Sequence, residues 1–291
     1  AVIAPSESVA DLLRKRGVNT PIAVIPTGVD TGFFRGGAGS RFRKKNSIPR
    51  EAFVVGHVGR MATEKNLEFL ARAVGKFLQG NRTAYFVLVG EGPMTRAISQ
   101  VMDEMEVSDR FRPAGLLEQE DLSGAYKAMD AFAFSSHTET QGMVLAEAMA
   151  AGVPVVALDA SGVREVVRDR VNGRLLVGAD VNQFALALDW VAALSPEQKR
   201  LVQDGVDATS REFDISRTAN KALDLYRNMI VEVARKRGSN SNMLMRTQRG
   251  LRSEWRIMSN IAKAAGSFLL PPRDYKDDSL KLGIRSVFSD Q

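Results

Sequence analysis

The chain contains no cysteine and only two histidines, His57 and His137, among its 291 residues. The lack of cysteine excludes disulfide bonds, thiolate metal sites and a cysteine nucleophile, and two histidines are too few for a histidine-rich metal centre. Long hydrophobic runs are missing as well, because no stretch approaches the ~18 apolar residues that read as a transmembrane helix. We therefore expect neither thiol chemistry nor a membrane span.

Most of the chain has no excess of positive charge, although the whole carries a net charge of +6. From Arg235 onward there are 12 of the 40 Lys and Arg and 5 of the 34 Asp and Glu, which leaves 28 basic and 29 acidic residues before it. The basic character belongs to the tail, so it gives no reason to expect nucleic-acid binding by the main domain.

Short apolar runs alternate with helical stretches after residue 50. This alternation predicts an α/β fold, with a parallel sheet covered by helices on both faces. The predicted strands are 53–59, 85–90, 131–134, 154–158 and 173–177. The predicted helices that follow residue 50 are 66–78, 93–105, the helix after Glu139, 185–194, 196–212 and 215–236.

In a parallel sheet, ligands bind at the carboxyl ends of the strands. The four predicted strand exits at 59–60, 90–92, 135–142 and 159–162 are rich in glycine, serine or charge. At any single exit the glycines are explained by a turn of the chain. Because all four agree, we predict a binding site along this edge.

The segment 139–156 points most directly to function. Glu139 precedes a predicted helix, and Glu147 is the only polar side chain between Met143 and Ala151. Burying an unpaired carboxylate costs several kcal/mol, so we expect Glu147 to have a hydrogen-bonding partner.

Five motifs in order resemble those of family 4 glycosyltransferases. They are Ala4-Pro5-Ser6, Ile25-Pro26-Thr27-Gly28-Val29-Asp30, Val58-Gly59-Arg60 with Glu64-Lys65-Asn66, Gly90-Glu91-Gly92-Pro93, and the segment 139–156. The resemblance covers residues 1–235 and is to the C-terminal, donor-binding half of these enzymes. It implies the GT-B architecture of two facing Rossmann-like domains, of which this chain holds one doubly wound parallel sheet.

The resemblance also divides the chain. It implies that residues 1–30 are the end of an N-terminal acceptor domain and that 51–213 form the Rossmann-like donor-binding domain. The basic, glycine-rich stretch 31–50 is interpreted as a linker, and 214–238 as a closing helix. Because the chain starts without an initiator Met or a signal peptide, we expect it to be a piece of a longer protein.

The resemblance assigns roles to the charged residues. Arg60 and Lys65 would neutralise the donor diphosphate without a metal ion, and with Glu139 they are the candidate catalytic residues. Glu139 would hold the donor sugar near the reacting face, and Glu147 would accept hydrogen bonds from the ribose. The alternative for Arg60 and Lys65 is solvated surface charge.

Five further residues complete the predicted donor site, and the two histidines are left out of it. Gly142, Met143 and Val144 open a helix whose free N–H groups favour phosphate or sugar oxygens. Gly90 and Gly92 lie at a strand exit and are included as donor-binding residues. His57 is interpreted as a packed core residue, and His137 receives no role.

Two positions depart from the family pattern. Pro113 lies where the family often has an aromatic residue, in a strand that would line the base pocket. Gln141 replaces the phenylalanine of many relatives, as in some glycolipid-synthesising members. The base of the donor is therefore left open.

The predicted function is that of a retaining glycosyltransferase. It would move a sugar from a nucleotide diphosphate sugar to an acceptor such as a lipid or surface-glycan precursor, with no metal and no cofactor. The chain alone would bind donor but be inactive without its N-terminal domain. The alternatives are a non-catalytic nucleotide-sugar-binding module or a degenerate partner subunit. A Rossmann oxidoreductase is disfavoured, since residues 56–59 do not form a Gly-x-Gly-x-x-Gly fingerprint.

The tail, 239–291, is predicted to contain a basic amphipathic helix. Leu251, Trp255 and Met258 fall at helical spacing, with Arg252 and Arg256 largely on another face. Packing on the N-terminal domain is the favoured interpretation, and contact of residues 243–270 with an anionic membrane surface is the other. We expect a cytoplasmic protein, with any membrane contact peripheral and at the inner face.

Overall fold

The computed structural model describes residues 1–238, the last three by their backbone alone. Two compact units divide the chain, Ala1–Met229 and Ile230–Gln291, and the described part of the second is the end of one long helix. The predicted tail helix and its membrane contact, 243–270, lie outside the described residues.

Short apolar strands alternate with helices along the first unit, as the sequence predicts. The strands are β1 (Val2–Ala4), β2 (Ile22–Val24), β3 (Phe53–Val58), β4 (Ala84–Val89), β5 (Phe111–Gly115), β6 (Ala131–Phe134), β7 (Val155–Leu158) and β8 (Gly173–Leu176). The helices are α1 (Glu7–Lys15), α2 (Thr31–Arg35), α3 (Gly39–Lys45), α4 (Leu67–Gly80), α5 (Thr95–Glu104), α6 (Gln119–Lys127), α7 (Met143–Ala150), α8 (Val181–Ala192), α9 (Pro196–Glu212) and α10 (Ile215–Gly238).

Strands β3 to β8 form one six-stranded sheet in the order β5-β4-β3-β6-β7-β8, and every pair is parallel. All four residues of β6 and of β7 are buried, because helices cover both faces of the sheet. The predicted α/β class with a doubly wound parallel sheet is confirmed.

Two hydrophobic clusters fill the space between the sheet and its helices. Leu70, Phe77 and Leu188 lie in the cluster under α4, α5 and α8, on one face. Tyr126 and Met149 lie in the cluster on the other face, under α2, α3, α6, α7 and α9. Each strand therefore contributes alternate side chains to two cores.

The stretch 31–50, which the sequence predicts to be a linker, contains α2 and α3. Phe34 and Phe42 are 8% and 4% exposed and belong to the core. Gly39 allows close packing, because a Cβ there would lie 2.5 Å from the carbonyl oxygen of Lys127. A basic and glycine-rich composition is typical of a linker, so the sequence pattern alone does not show that Phe34 and Phe42 are buried.

Residues 1–30 build a separate two-stranded parallel sheet, β1 with β2, joined by α1. They nevertheless belong to the same compact unit as the large sheet. The Val29 N–H donates to the carbonyl of Phe213 at 2.8 Å, and the Ile215 N–H donates to that of Val29 at 3.0 Å. Their assignment to an acceptor domain stays a prediction.

Candidate donor-binding site

The order of strands creates a crevice at one edge of the sheet. From β3 the chain proceeds outward through β4 and β5, and then returns to place β6 on the other side of β3. The connections after β3 and after β6 therefore leave in opposite directions, and ligands of open α/β sheets bind at such a switch point. The candidate residues 60–65 and 135–147 follow these two strands.

Lys65 and Glu139 meet at this crevice. Lys65 ends a 3-10 turn after β3, Glu139 lies in the loop between β6 and α7, and the Nζ–Oε2 distance is 2.9 Å. Their side chains are 19% and 18% exposed. The ammonium group also lies 5.8 Å from the centre of the Phe134 ring. The fold thus brings together two of the three predicted catalytic residues.

Serine side chains fasten the two loops to each other. The Ser135 hydroxyl, which has one hydrogen to donate, lies 2.8 Å from the carbonyl oxygen of Lys65 and 3.1 Å from that of Asn66. The Ser136 hydroxyl lies 2.9 Å from the carbonyl oxygen of Thr138 in its own loop and 3.3 Å from that of Glu64. Both serines are buried, so these bonds are shielded from water and hold the 3-10 turn against the β6 exit.

Helix α7 opens on Gly142, whose φ of +71° is in the left-handed region that favours glycine. No side chain caps this end of the helix. The backbone N–H groups at Met143 and Val144 therefore lie at an end with partial positive charge, beside the Glu139 loop. An anionic oxygen is a suitable acceptor for them.

Glu147 already has a partner within the chain. The hydroxyl of Tyr126, in α6, donates to its Oε2 at 2.6 Å. Burial raises the pKa of Glu147, and the bond from Tyr126 opposes that rise. Burial also raises the pKa of Tyr126, which keeps it a hydrogen-bond donor. The expectation that Glu147 is paired is confirmed, but the partner present is a phenol.

Arg60 lies apart from this pair. Its side chain is 79% exposed, and its Nη2 lies 2.8 Å from Oε1 of Glu64, four residues later in the chain. The guanidinium is therefore in contact with solvent, and its partner is the neighbouring Glu64. The structure does not join Arg60 to the contact between Lys65 and Glu139.

Gly90 and Gly92 have a clear packing role. Both have positive φ, and a Cβ on Gly90 would lie 1.9 Å from the carbonyl oxygen of Gly59. A Cβ on Gly92 would lie 2.5 Å from that of Met61. These glycines let the exit of β4 pack against the exit of β3, which shapes the edge where a donor is predicted to bind.

His57 is a packed core histidine, as the sequence predicts. It is 1% exposed, and its Nδ1 donates to the carbonyl of Ala133 at 2.9 Å. Its ring lies parallel to those of Phe132 and Phe134. Burial lowers the pKa of His57 to about 4, and Lys65 contributes in the same direction. The imidazole is therefore neutral at pH 7. His137 is exposed on the neighbouring loop.

Two classes of feature are not found among residues 1–238. No group of three or more His, Asp or Glu side chains is arranged to hold a metal ion there. Within the same residues, no helix combines the length and apolarity that crossing a membrane requires.

Comparison with known proteins decides the family. The family described as Glycosyl transferases group 1 matches residues 40–207. The chain belongs to this family. It is 33% identical to D-inositol 3-phosphate glycosyltransferase of Saccharomonospora viridis over 71% of this chain and 50% of that protein. The enzyme of the same name from Mycobacterium marinum is 32% identical, over 72% and 45%. The chain thus spans about half the length of these curated relatives.

Solved structures of glycosyltransferases share the fold. Sucrose-phosphate synthase of Thermosynechococcus elongatus matches with a TM-score of 0.68 at 26% identity, over 79% of this chain and 58% of that one. A glycosyltransferase from Rickettsia africae matches at 0.70 and 19%, over 79% and 63%. HepE of Anabaena, solved with UDP and glucose, matches at 0.68 and 23%, over 77% and 62%. The predicted GT-B family and Rossmann-like sheet are confirmed.

Two contacts in this group 1 glycosyltransferase chain are not predicted from the sequence. Tyr126 lies 21 residues before Glu147 on a helix that was not predicted, so nothing linked the two. Gln141 was noted as a departure from the family, but its partner Thr27 is 114 residues away. Gln141 is buried although it lies in a polar loop, and this burial indicates that its side chain has a partner within the chain. Only the folded structure shows this burial.

Proposed function

We propose that this chain binds the nucleotide diphosphate sugar of a retaining glycosyltransferase, in the crevice between the exits of β3 and β6. The contact of Lys65 with Glu139 at 2.9 Å carries the proposal, since it sets a cation and a hydroxyl-binding carboxylate side by side. UDP and sugars in solved relatives such as HepE agree with this choice of ligand.

Each part of the donor has a complementary group here. The Lys65 ammonium and the N-terminal N–H groups of α7 are suited to the diphosphate. The Glu139 carboxylate accepts hydrogen bonds from the sugar hydroxyls, and Glu147 from the ribose. Arg60, on its exposed stem, reaches the diphosphate from the mouth of the crevice.

The transfer proceeds on the face from which the leaving group departs. The bond from the anomeric carbon to the diphosphate breaks through an oxocarbenium-like state, and an acceptor oxygen bonds to the same face. The departing phosphate takes the acceptor proton. Lys65, Arg60 and the α7 N–H groups stabilise the charge that grows on the diphosphate, so the reaction needs neither metal nor cofactor.

We place the acceptor site outside these 291 residues, on an N-terminal domain, in keeping with the half-length match to the relatives. Lipid and surface-glycan precursors are the acceptors we propose first, and the name of the relatives adds inositol phosphates. We propose a cytoplasmic protein. For residues 243–270 the favoured proposal stays packing on the N-terminal domain, and peripheral contact with an anionic membrane is the alternative.

A thermal-shift assay on the 291-residue chain tests donor binding. The additives are UDP, GDP, UDP-glucose, UDP-N-acetylglucosamine and GDP-mannose. A ligand at 100 times its dissociation constant adds about 2.7 kcal/mol to the stability of the native state. We expect such a shift with one base, reduced in Glu147→Ala and retained in Glu51→Ala, the same change at an exposed carboxylate.

Absence of a shift with every additive would refute donor binding. The alternative, a non-catalytic binding module, makes a separate prediction about a longer protein that contains this chain. Donor binding with neither hydrolysis nor transfer of the sugar by that protein would favour the module over the enzyme.

A further inference from the structure

The side chain of Gln141 pairs with the backbone of Thr27. Its Nε2 donates to the Thr27 carbonyl at 2.9 Å, and its Oε1 accepts from the Thr27 N–H at 2.9 Å. Gln141 is 5% exposed. A primary amide presents an N–H donor and a carbonyl acceptor side by side, which complements the backbone C=O and N–H of a single residue. An apolar residue here would leave both Thr27 groups without these partners.

The same loop is held at two neighbouring points. The Ser6 hydroxyl lies 2.6 Å from the carbonyl oxygen of Thr140. On another side, Gly162 has a φ of +77°, and a Cβ there would lie 2.9 Å from the carbonyl oxygen of Glu139. Residues 139–141 are thus packed between the segment 1–30 and the connection that follows β7.

These contacts hold the part of the loop that the helix does not. Helix α7 is anchored by Leu145 and Met149, both 0% exposed, so its N–H groups are fixed by the core. Glu139 lies three residues before the helix cap, Gly142, and has no such anchor of its own. Its backbone position depends on the contacts at residues 139–141, and its carboxylate on Lys65.

We propose that Gln141 is a positioning residue for the donor sugar, acting through Glu139. Its amide fixes the loop against Thr27, so that the Glu139 carboxylate faces Lys65 and the sugar hydroxyls before the donor arrives. This inference rests on the proposed function. It separates the sugar from the nucleotide, because Gln141 governs Glu139 while the core governs the phosphate-facing end of α7.

The test compares Gln141→Met with the wild-type chain by calorimetric titration. Methionine keeps the length of the side chain and loses both hydrogen bonds to Thr27. We expect the affinity for UDP-glucose, or for GDP-mannose if the base is guanine, to fall about tenfold in Gln141→Met, which is the scale of two net hydrogen bonds. The affinity for UDP or GDP alone should stay within about twofold of the wild-type value, a difference of about 0.4 kcal/mol. Gln183→Met, on the exposed face of α8, is the control.

Two further measurements show whether Gln141 acts through Glu139. In a Glu139→Gln background, Gln141→Met should cause no additional loss of nucleotide-sugar affinity. Amide hydrogen exchange at Thr27 should become faster in Gln141→Met, because its N–H loses the acceptor, while exchange in β6 and β7 stays unchanged.

The outcomes separate this inference from the donor proposal. Failure of the wild-type chain to bind any of the nucleotides or nucleotide sugars overturns both. Equal nucleotide-sugar affinity of the wild type and Gln141→Met overturns the positioning role alone. So does a parallel loss of UDP or GDP affinity, since that result would mean a general loosening of the site.

Discussion

Two carboxylates eight residues apart are stabilised in different ways. Glu139 lies beside an ammonium group, and about a fifth of each side chain is open to solvent. Glu147 lies on α7 beside a phenol that is fully buried. An ion pair cancels charge, whereas a phenol only supplies one hydrogen bond, so the pKa of Glu147 is raised by burial.

The difference shows what each group contributes before a ligand binds. Glu139 is held in place by the Lys65 ammonium group, which would also attract a diphosphate. The diphosphate can therefore replace the carboxylate as the partner of Lys65. Glu147 retains a desolvation cost that further hydroxyl donors would offset. The first contact therefore favours selectivity for charge, and the second favours binding of hydroxyl groups.

Lowering the pH should destabilise the fold most strongly through His57, the buried histidine of β3. The pKa of His57 falls from 6.5 to about 4 in the folded state. The unfolded chain therefore binds a proton first, and stability present above pH 6.5 is lost as the pH falls toward 4. The full shift corresponds to about 3 kcal/mol. Urea unfolding at pH 7 and pH 4 measures the loss.

His57→Asn is the control for that experiment, because an amide cannot titrate. The acid loss should be smaller in this variant by most of the 3 kcal/mol that the pKa shift is worth, as an order of magnitude. The pKa of Glu147 is raised, so its protonation acts in the opposite direction and stabilises the fold as the pH falls. An unchanged acid loss in His57→Asn would assign the effect to other groups.

Removing the cation should break the first of the two contacts. Lys65→Met leaves the Glu139 carboxylate without its partner and the diphosphate without an ammonium group. We expect nucleoside diphosphate affinity to fall about 100-fold, which is about 2.7 kcal/mol. Isothermal titration of the 291-residue chain measures it, with Lys199→Met, on an exposed part of α9, as the control. Affinity within threefold of the wild type would exclude Lys65 from diphosphate binding.

Removing the phenol hydroxyl should break the second contact, between Tyr126 and Glu147. Tyr126→Phe keeps the buried ring and leaves Oε2 of Glu147 without its donor. The free energy of unfolding should fall by about 1.5 kcal/mol, the cost of an unsatisfied buried group. Tyr226→Phe, at a residue that is 44% exposed, should leave urea unfolding unchanged. Equal stability of the two variants would mean that solvent replaces the phenol.

Neutralising the second carboxylate should give the smallest effect, and one of opposite sign. Glu147→Gln removes the cost of burying a charge and keeps an acceptor for Tyr126, so the thermal midpoint at pH 7 should rise by about 2 °C. The gain should vanish as the pH falls through the raised pKa of Glu147, because the wild type then becomes neutral too. Nucleotide affinity should fall, and a variant both less stable and fully able to bind would contradict this account.

The large sheet could be predicted because its strands are continuous apolar runs. Strands such as β6, with Ala131–Phe134 buried throughout, have no other stable place than between two layers. The apolar pattern predicts neither strand β5, which only the family resemblance implies, nor helix α6. Arg112 and Pro113 interrupt the pattern of β5, and Gln119–Lys127 carries a weak helical one. Side chains that anchor α2 and α3 are single phenylalanines within basic, glycine-rich sequence.

The candidate site could be predicted as a set of residues but not as a set of contacts. Lys65 and Glu139 were named separately, and their pairing follows from the order of the strands, which no local pattern contains. Glu147 was predicted to need a partner, because burial of charge is visible in its apolar neighbours. That this partner is Tyr126 depends on the packing of α6 on α7.

The order of the sheet also bears on how the chain is made. Strands β3, β4 and β5 are complete by Gly115, whereas β6 begins only at Ala131. At about 5–20 residues per second, a ribosome needs roughly one second or more to supply that stretch. During this pause β3 has one unpaired, apolar edge, which is the kind of edge that recruits other chains. The seam between β3 and β6, where the crevice lies, therefore stays open after the first three strands are complete, and a chain that stalls at this point exposes the edge of β3 to aggregation.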